Sequence, residues 1–167
     1  PDTSSFLGGP WSVLHGSELE RKTEASLGET LSWEPGVSSS FYGPVASRPI
    51  IRGLDGYRAG VYLSGLGTGD LSSASPDHAV AIEPMFIREI EIIQGPASLL
   101  YGGSAIGGAV NVITTTIPRE TAGEGGISGA VEGRYSSVDK GRTGIVTATV
   151  GDERLAVQVN GLWRKTE

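Results

Sequence analysis

Apolar and polar positions follow two different patterns along the chain, and the change falls between residues 117 and 126. Before it, short apolar runs alternate irregularly with glycine- and serine-rich segments, as expected for short strands and helices in one small domain. The runs that predict strands are residues 11–14, 37–41, 49–52, 60–63, 87–94 and 109–114. Helices are predicted at 17–22, where Ser17 and Glu20 have the spacing of a capping box, at 26–31, and as one turn at 97–101.

After the change, apolar and polar residues alternate over three stretches, residues 126–135, 143–150 and 154–165. Strands of ~10 residues that are apolar on one face and polar on the other are typical of outer-membrane β-barrels. Trp163, near the end of the last stretch, suits the aromatic girdle found where such barrels meet the membrane surface. The same alternation fits a three-stranded antiparallel meander packed on a soluble core, and the pattern does not choose between the two.

Composition excludes several classes of partner and site. The chain has 13 Lys and Arg against 19 Asp and Glu, a net charge of −6, which argues against a nucleic-acid partner because such proteins carry a basic patch. It has no cysteine, so disulfides and thiolate metal sites are excluded. No run reaches the ~20 apolar residues of a membrane helix. A membrane contact would therefore be made through strands.

The chain lacks the residue patterns that common enzyme classes need. Serines are numerous, but no Gly-x-Ser-x-Gly elbow with an accompanying histidine and acid is present. The glycines of residues 102–108 lack the Gly-Lys-Ser/Thr of a phosphate-binding loop. We therefore expect a protein that is not an enzyme and that has no catalytic cofactor.

Five segments along residues 11–118 resemble, in the same order, the plug domain of TonB-dependent outer-membrane receptors. They are residues 27–31 (LGETL) with 35–37 (PGV), 49–54 (PIIRGL), 60–65 (GVYLSG), 90–102 (IEIIQGPASLLYG) and 105–114 (AIGGAVNVIT). The fourth segment is the most diagnostic of the family. Two positions depart from the family pattern, because Ser64 stands where an aspartate is usual and Gln94 stands where an arginine is usual.

The resemblance implies an α+β plug domain, a small mixed sheet with short helices, followed by three antiparallel strands of an incomplete transmembrane β-barrel. The plug would comprise residues 1–118, a linker 119–125, and the first barrel strands 126–167. Such a plug fills the lumen of a receptor barrel in the outer membrane of a Gram-negative bacterium, and lipid surrounds the barrel. The resemblance places plug–barrel contacts at Arg52 and Glu91.

Three strands cannot close a barrel of about 22 strands, and an open sheet edge in lipid would leave backbone groups unpaired. We therefore expect the rest of the barrel to come from further sequence or from another chain. Residues 1–5 (PDTSS) lack the features of a signal peptide, which predicts a mature or excised piece. In the family, TonB contacts the receptor through a segment before the plug, so we expect TonB to bind upstream of these residues.

One loop narrows the resemblance to a branch of the family. Residues 75–80 (SPDHAV), at the end of a long predicted loop at 64–77, are similar to receptors for zinc uptake. In that branch an adjacent aspartate and histidine bind zinc, and the matching residues here are Asp77 and His78. A carboxylate and a neutral imidazole are good Zn²⁺ ligands, but zinc normally takes four, so barrel loops would complete the site.

Zinc as the transported ligand is therefore the first expectation for the substrate, and another divalent metal would suit the same pair of ligands. Asp70 and Glu83 are candidates for additional ligands. A Pro-Asp turn that binds no metal explains the same residues. A siderophore or cobalamin receptor would share the plug without needing the pair. A soluble all-β ligand-binding module would explain the strands, but it would not explain the fourth segment.

Overall fold

The computed structural model describes residues 11–43, 46–69, 71–75, 77–103, 105–116, 126–137, 140–152 and 154–165. The chain divides into two compact units, residues 1–114 and 115–167. The linker predicted at 119–125 lies outside the described residues, so the predicted domain limits stay a prediction. No helix within the described ranges is long and apolar enough to cross a membrane.

The first unit is α+β, as predicted. Its helices and strands are β1 Trp11–His15, α1 Gly16–Lys22, α2 Leu27–Leu31, β2 Val37–Ser39, β3 Pro49–Ile51, β4 Ala59–Leu63, β5 Leu66–Gly67, β6 Ile87–Ile93 and β7 Gly108–Thr114. Short 3-10 helices cover Gly56–Arg58, Leu71–Ser73, Pro84–Phe86 and Pro96–Tyr101. The predicted long loop at 64–77 therefore contains a short strand and a helical turn.

Within the described residues, the main sheet has five strands in the order β1-β6-β7-β4-β5, and β2 pairs separately with β3. The main sheet is mixed, because β4 runs parallel to β7 and the other neighbours are antiparallel. This confirms the predicted mixed sheet.

Both faces of the main sheet bury apolar side chains, because successive residues of a strand point to opposite faces. On one face, Leu14, Ile90 and Val112 lie in the larger core, which α2 and β3 cover. On the other face, Ile93 and Ala109 form a smaller cluster with Ala105. Burial on both faces is why β7 reads as an almost continuous apolar run, whereas β6 carries Arg88, Glu89 and Glu91 among its isoleucines.

The capping box predicted at Ser17 is wrong. Helix α1 begins at Gly16, and its N-cap His15 makes no side-chain capping hydrogen bond. Gly16 has a φ of 55°, so the chain reverses directly out of β1 and the helix begins before Ser17. A serine cap with the same spacing, which the sequence analysis did not predict, forms at α2, where the Ser26 side chain accepts a hydrogen bond from the Glu29 amide at 3.3 Å.

In the described part of the second unit, three antiparallel strands lie in the order β10-β9-β8. They are β8 Ile127–Tyr135, β9 Arg142–Gly151 and β10 Ala156–Lys165. Their register aligns exposed apolar side chains on one face, namely Ile127, Val131, Tyr135, Val146, Val150, Val157, Val159 and Trp163. The opposite face carries mainly polar side chains, among them Glu132, Arg134, Thr147, Thr149, Gln158 and Asn160. The predicted three-stranded alternation is therefore confirmed.

Candidate functional site

The predicted metal ligands Asp77 and His78 are adjacent and exposed on the connection between the 3-10 helices Leu71–Ser73 and Pro84–Phe86. Asp77 Oδ1 contacts His78 Nδ1 at 3.0 Å and also accepts a hydrogen bond from the Ser75 hydroxyl. These hydrogen bonds, the one from Ser75 first and that from His78 next, hold the pKa of the Asp77 carboxyl below its usual 3.8.

This hydrogen bonding limits what the pair can offer a metal ion. Since His78 Nδ1 is occupied by Asp77, the ring nitrogen left for a metal is Nε2. Glu83 caps the 3-10 helix that follows, accepting from the Met85 amide at 3.4 Å, and Asp70 lies outside the described residues. Across the described ranges, no three His, Cys, Asp or Glu side chains come together in a way that could hold a metal.

Arg52 lies in the turn after β3 with a φ of 51°, a conformation that non-glycine residues seldom adopt. Its amide donates to Gly36 O at 2.8 Å, and its Nε donates to the side-chain oxygen of Gln94 at 3.1 Å. Gln94 is buried and donates in turn to Pro35 O at 3.1 Å. Gln94, which stands where the family pattern has an arginine, therefore positions Arg52.

Glu91 lies on β6 opposite Asn111 of β7. The Asn111 side-chain amide donates to Glu91 Oε2 at 2.7 Å, and its oxygen accepts from the Gly65 amide at 2.8 Å. Asn111 thus ties the turn between β4 and β5 to the centre of the sheet. The roles of Arg52 and Glu91 in plug–barrel contact stay predictions.

A cavity of about 180 Å³ lies beside β4. Its wall comes from β4 itself, the 3-10 helices Gly56–Arg58 and Leu71–Ser73, the end of β5, and Arg48 just before β3. The sequence pattern did not single out any residue of this wall as a site residue. Its members all lie within residues 48–73, and the turns of that stretch, not a periodic pattern, bring them around one space.

Arg48 is the buried cation of this wall. Its Nη1 donates to Ser72 O at 2.6 Å, and its Nη2 lies 2.5 Å from Asp55 Oδ2. Its Nε is buried and has no hydrogen-bond partner among the described residues. A buried donor without a partner is costly, so the Ser72 and Asp55 contacts of the other two nitrogens must hold the guanidinium in place.

One exposed aromatic residue lines the cavity, and two more follow a residue that is hydrogen-bonded to the Arg48 backbone. Tyr57, 65% exposed, is part of the wall. Phe41 and Tyr42, 64% and 60% exposed, directly follow Ser40, whose amide donates to Arg48 O. Large exposed aromatic side chains beside a partly enclosed cavity are typical of a ligand-binding surface. No sequence signal marked these residues, because isolated aromatics in loops have no periodicity.

Residues 5–109 match the family model described as TonB-dependent Receptor Plug Domain. The chain is 32% identical over 161 residues to the ferrioxamine B receptor of Salmonella typhimurium (strain LT2), covering 92% of this chain and 21% of the relative. It is 34% identical over 128 residues to the vitamin B12 transporter BtuB of Photobacterium profundum, covering 75% of this chain and 21% of that protein. The chain thus spans about a fifth of the length of these relatives.

Solved structures show the same fold. The ferric enterobactin receptor PfeA of Pseudomonas aeruginosa aligns with a TM-score of 0.70 at 19% identity, covering 99% of this chain and 26% of that one. The siderophore receptor PirA of the same organism aligns with a TM-score of 0.66 at 22% identity, covering 94% and 28%. At these identities the likeness establishes the fold, both of the mixed sheet and of the strands that follow it.

Proposed function

The chain belongs to the family of TonB-dependent receptor plug domains, and from that premise we propose that it is the plug and first barrel strands of an outer-membrane receptor that takes up an iron–siderophore complex. The relative at 32% identity over 92% of the chain is a receptor for ferrioxamine B, which supports this class of substrate. Cobalamin is the related alternative, since the vitamin B12 transporter aligns over 75% of the chain.

The cavity beside β4 is the observation that supports an organic chelate over a bare metal ion as the substrate. A bare ion needs several protein ligands converging on one point, and the described residues hold no such cluster. An organic chelate brings its own ligands to the metal and needs instead apolar walls with a few placed donors. The cavity wall has both kinds of group, with Tyr57 and Tyr62 as aromatic wall and the guanidinium of Arg48 as a positively charged member.

The two faces of the second-unit sheet suit a barrel wall. The exposed apolar face of β8, β9 and β10, with Tyr135 and Trp163 near strand ends, would lie against lipid. The polar face would line the lumen. Further strands would close the barrel, because an open edge in lipid leaves amides and carbonyls unpaired. TonB, bound to a segment before the plug, would supply the energy that moves the ligand to the periplasm, and no bond in the ligand changes.

The test is binding and uptake by the intact receptor, the plug together with its complete barrel, in cells that have TonB. We expect uptake of ferrioxamine B and loss of uptake when TonB is absent. Tyr57→Ala should weaken ligand binding about tenfold, the cost of losing one aromatic contact in a binding site. The matched control is Trp33→Ala, since Trp33 is equally exposed at 65% and is not part of the cavity wall. Uptake of cyanocobalamin but not of ferrioxamine B would show that the transported substrate is cobalamin and not a siderophore complex. Uptake of neither compound would overturn the proposal.

Zinc is the second candidate, favoured by one observation. His78 leaves Nε2 for a metal while Asp77 holds the ring through Nδ1, an arrangement common around metal-ligating histidines. Zn²⁺ should be titrated into the intact receptor and into a receptor with both Asp77→Ala and His78→Ala. Equal affinities in the two proteins would rule out zinc binding at this pair. A large loss of affinity in the double variant would support it.

A further inference from the structure

One end of the sheet formed by β8, β9 and β10 carries positive charge on its apolar face. The register places Tyr135 opposite Arg142 and Arg142 opposite Lys165, so the three residues form one row across the strands. Residues directly opposite each other in an antiparallel pair point to the same face, with Cβ atoms about 5 Å apart. All three side chains are exposed. We call Tyr135, Arg142 and Lys165 the basic row.

The basic row ends a face that is otherwise uncharged. Side chains two residues apart on a strand share a face, so Val146 and Trp163 lie on the same face as the row. At the far end of that face, Ile127, Val150 and Val157 form an apolar row across the three strands. Within the described strands, the charge on this face is therefore confined to one end.

The two cations of the basic row have no partner among the described residues. There, neither the Arg142 guanidinium nor the Lys165 ammonium makes a hydrogen bond or an ion pair. An ion pair on β8 joins Arg134 Nη2 to Glu132 Oε1 at 3.7 Å, on the opposite face. Like charges directly opposite each other destabilise a sheet, so an anion held between Arg142 and Lys165 would be stabilised.

The length of the strands places the basic row at the level of lipid headgroups. From Ile127 to Tyr135, β8 extends about 27 Å at about 3.4 Å per residue, which is a rise of about 21 Å for a strand tilted by about 40°. The apolar band of an outer-membrane barrel is about 25 Å tall. A face of this height spans most of the band, so its charged end lies at the edge of the band, where headgroups begin.

The connections between the strands indicate which leaflet the basic row meets. Residues 136–141 join β8 to β9, and residues 152–155 join β9 to β10. In outer-membrane barrels the longer connections are extracellular and the short turns are periplasmic. The basic row lies beside the longer connection and therefore meets the outer leaflet. The lipid of that leaflet is lipopolysaccharide, and its membrane anchor, lipid A, carries phosphate groups at headgroup level.

We propose that Arg142 and Lys165 bind a phosphate group of lipid A in the outer leaflet. The inference rests on the proposed function, because it takes the apolar face as the lipid-facing wall of the barrel. A guanidinium donates two parallel hydrogen bonds to phosphate oxygens, and an ammonium adds a compact positive charge. Tyr135 and Trp163, whose rings suit the membrane surface, border the phosphate.

Binding is tested on the intact receptor, the plug together with its complete barrel, purified in detergent and depleted of lipid. Native mass spectrometry measures the affinity for lipid A, for dephosphorylated lipid A and for phosphatidylglycerol. A receptor with both Arg142→Gln and Lys165→Gln should bind lipid A about 25-fold more weakly, about fivefold for each basic residue beside an anionic lipid. The wild type should bind dephosphorylated lipid A more weakly by a similar factor, and the double variant should not distinguish the two lipids.

The matched control is a receptor with both Arg134→Gln and Arg164→Gln. Arg134 and Arg164 each lie one residue from the basic row and point to the opposite face. This variant loses the same charge and should bind lipid A as the wild type does. An unchanged affinity in the basic-row variant, or an equal loss in both double variants, would overturn the inference.

Two further outcomes separate this inference from the proposals around it. Tighter binding of phosphatidylglycerol than of lipid A by the wild type would also overturn it, because that result would place the row at the periplasmic leaflet. Uptake of ferrioxamine B and of cyanocobalamin is measured on the same proteins in cells. A receptor that takes up neither compound overturns the proposed function, whereas a basic-row variant that keeps both its uptake and its full affinity for lipid A overturns this inference alone.

Discussion

Replacing Gly28 by alanine sets two known effects against each other. Gly28 is the second residue of α2 and has an ordinary helical backbone. From the sequence, Gly28→Ala should stabilise the protein by about 0.5–1 kcal/mol, because alanine favours a helix over glycine. The structure predicts the opposite sign.

A Cβ at position 28 would meet three atoms at once. It would lie 2.6 Å from Ser47 Oγ, 2.8 Å from the carbonyl carbon of Arg48 and 2.8 Å from Ser39 Oγ. Ser47 is 1% exposed and hydrogen-bonded to Ser26, and the Arg48 atom is backbone, so neither can move freely. Overpacking of this kind costs about 1–3 kcal/mol, or more where backbone must shift. Because backbone is among the contacts we expect the upper end of this cost, about 3 kcal/mol, and subtracting a helix gain of about 1 kcal/mol leaves a net loss of about 2 kcal/mol.

This loss can be measured by urea titration of the first unit, which has its own apolar core. Unfolding is monitored by the fluorescence of Trp11 and Trp33. A loss of about 2 kcal/mol lowers the urea midpoint by about 1 M at an unchanged slope. Gly103→Ala is the control, because a Cβ at Gly103 has no described atom within 4 Å, and it should leave the midpoint nearly unchanged. A Gly28→Ala protein as stable as the wild type, or more stable, would show that helix propensity and not packing decides this position.

Two further predictions concern the ion pairs near β1. The buried carboxylate of Glu34 accepts a hydrogen bond from Lys22 at 2.7 Å, so Glu34→Gln should lower the free energy of unfolding by about 1–2 kcal/mol in the same urea titration. The control is Glu24→Gln at an exposed position, which should change that free energy by less than about 0.5 kcal/mol. Hydrogen bonds to Glu18 and then to Glu34 raise the pKa of Lys22 above 10.5. These hydrogen bonds contribute fully to stability below pH 10.5, and the contribution falls as the pH rises through the raised pKa. The free energies of unfolding of the wild type and Lys22→Met should therefore converge as the pH rises through that range. A difference that stays constant with pH would contradict this.

Local features of the sequence were sufficient for most of the strands and helices. β7 follows from an almost continuous apolar run, β6 from isoleucines set among charged residues, and β8 to β10 from alternation, because each pattern reflects which side chains can leave water. The helix cap was placed wrongly at Ser17, since the strand before it ends in a glycine reversal that moves the helix start by one residue. Neighbouring residues can shift the start of a helix by one or two positions, and a rule based on residue spacing cannot predict that shift.

The site depended on the tertiary structure. Arg48, Tyr57 and Tyr62 lie within 15 residues of the chain, but none has a pattern that marks it as part of a cavity wall. The Arg52–Gln94 hydrogen bond joins residues 42 positions apart, and the sequence indicated merely that one family arginine was missing. The amphipathic strands and the order of the plug segments can be predicted from neighbouring residues, because burial acts on each side chain locally. The smaller apolar cluster of Ile93, Ala105 and Ala109 exists because sheet pairing brings distant residues together, and no local pattern encodes which strands will be neighbours. The cavity depends instead on how the turns within residues 48–73 fold around one space.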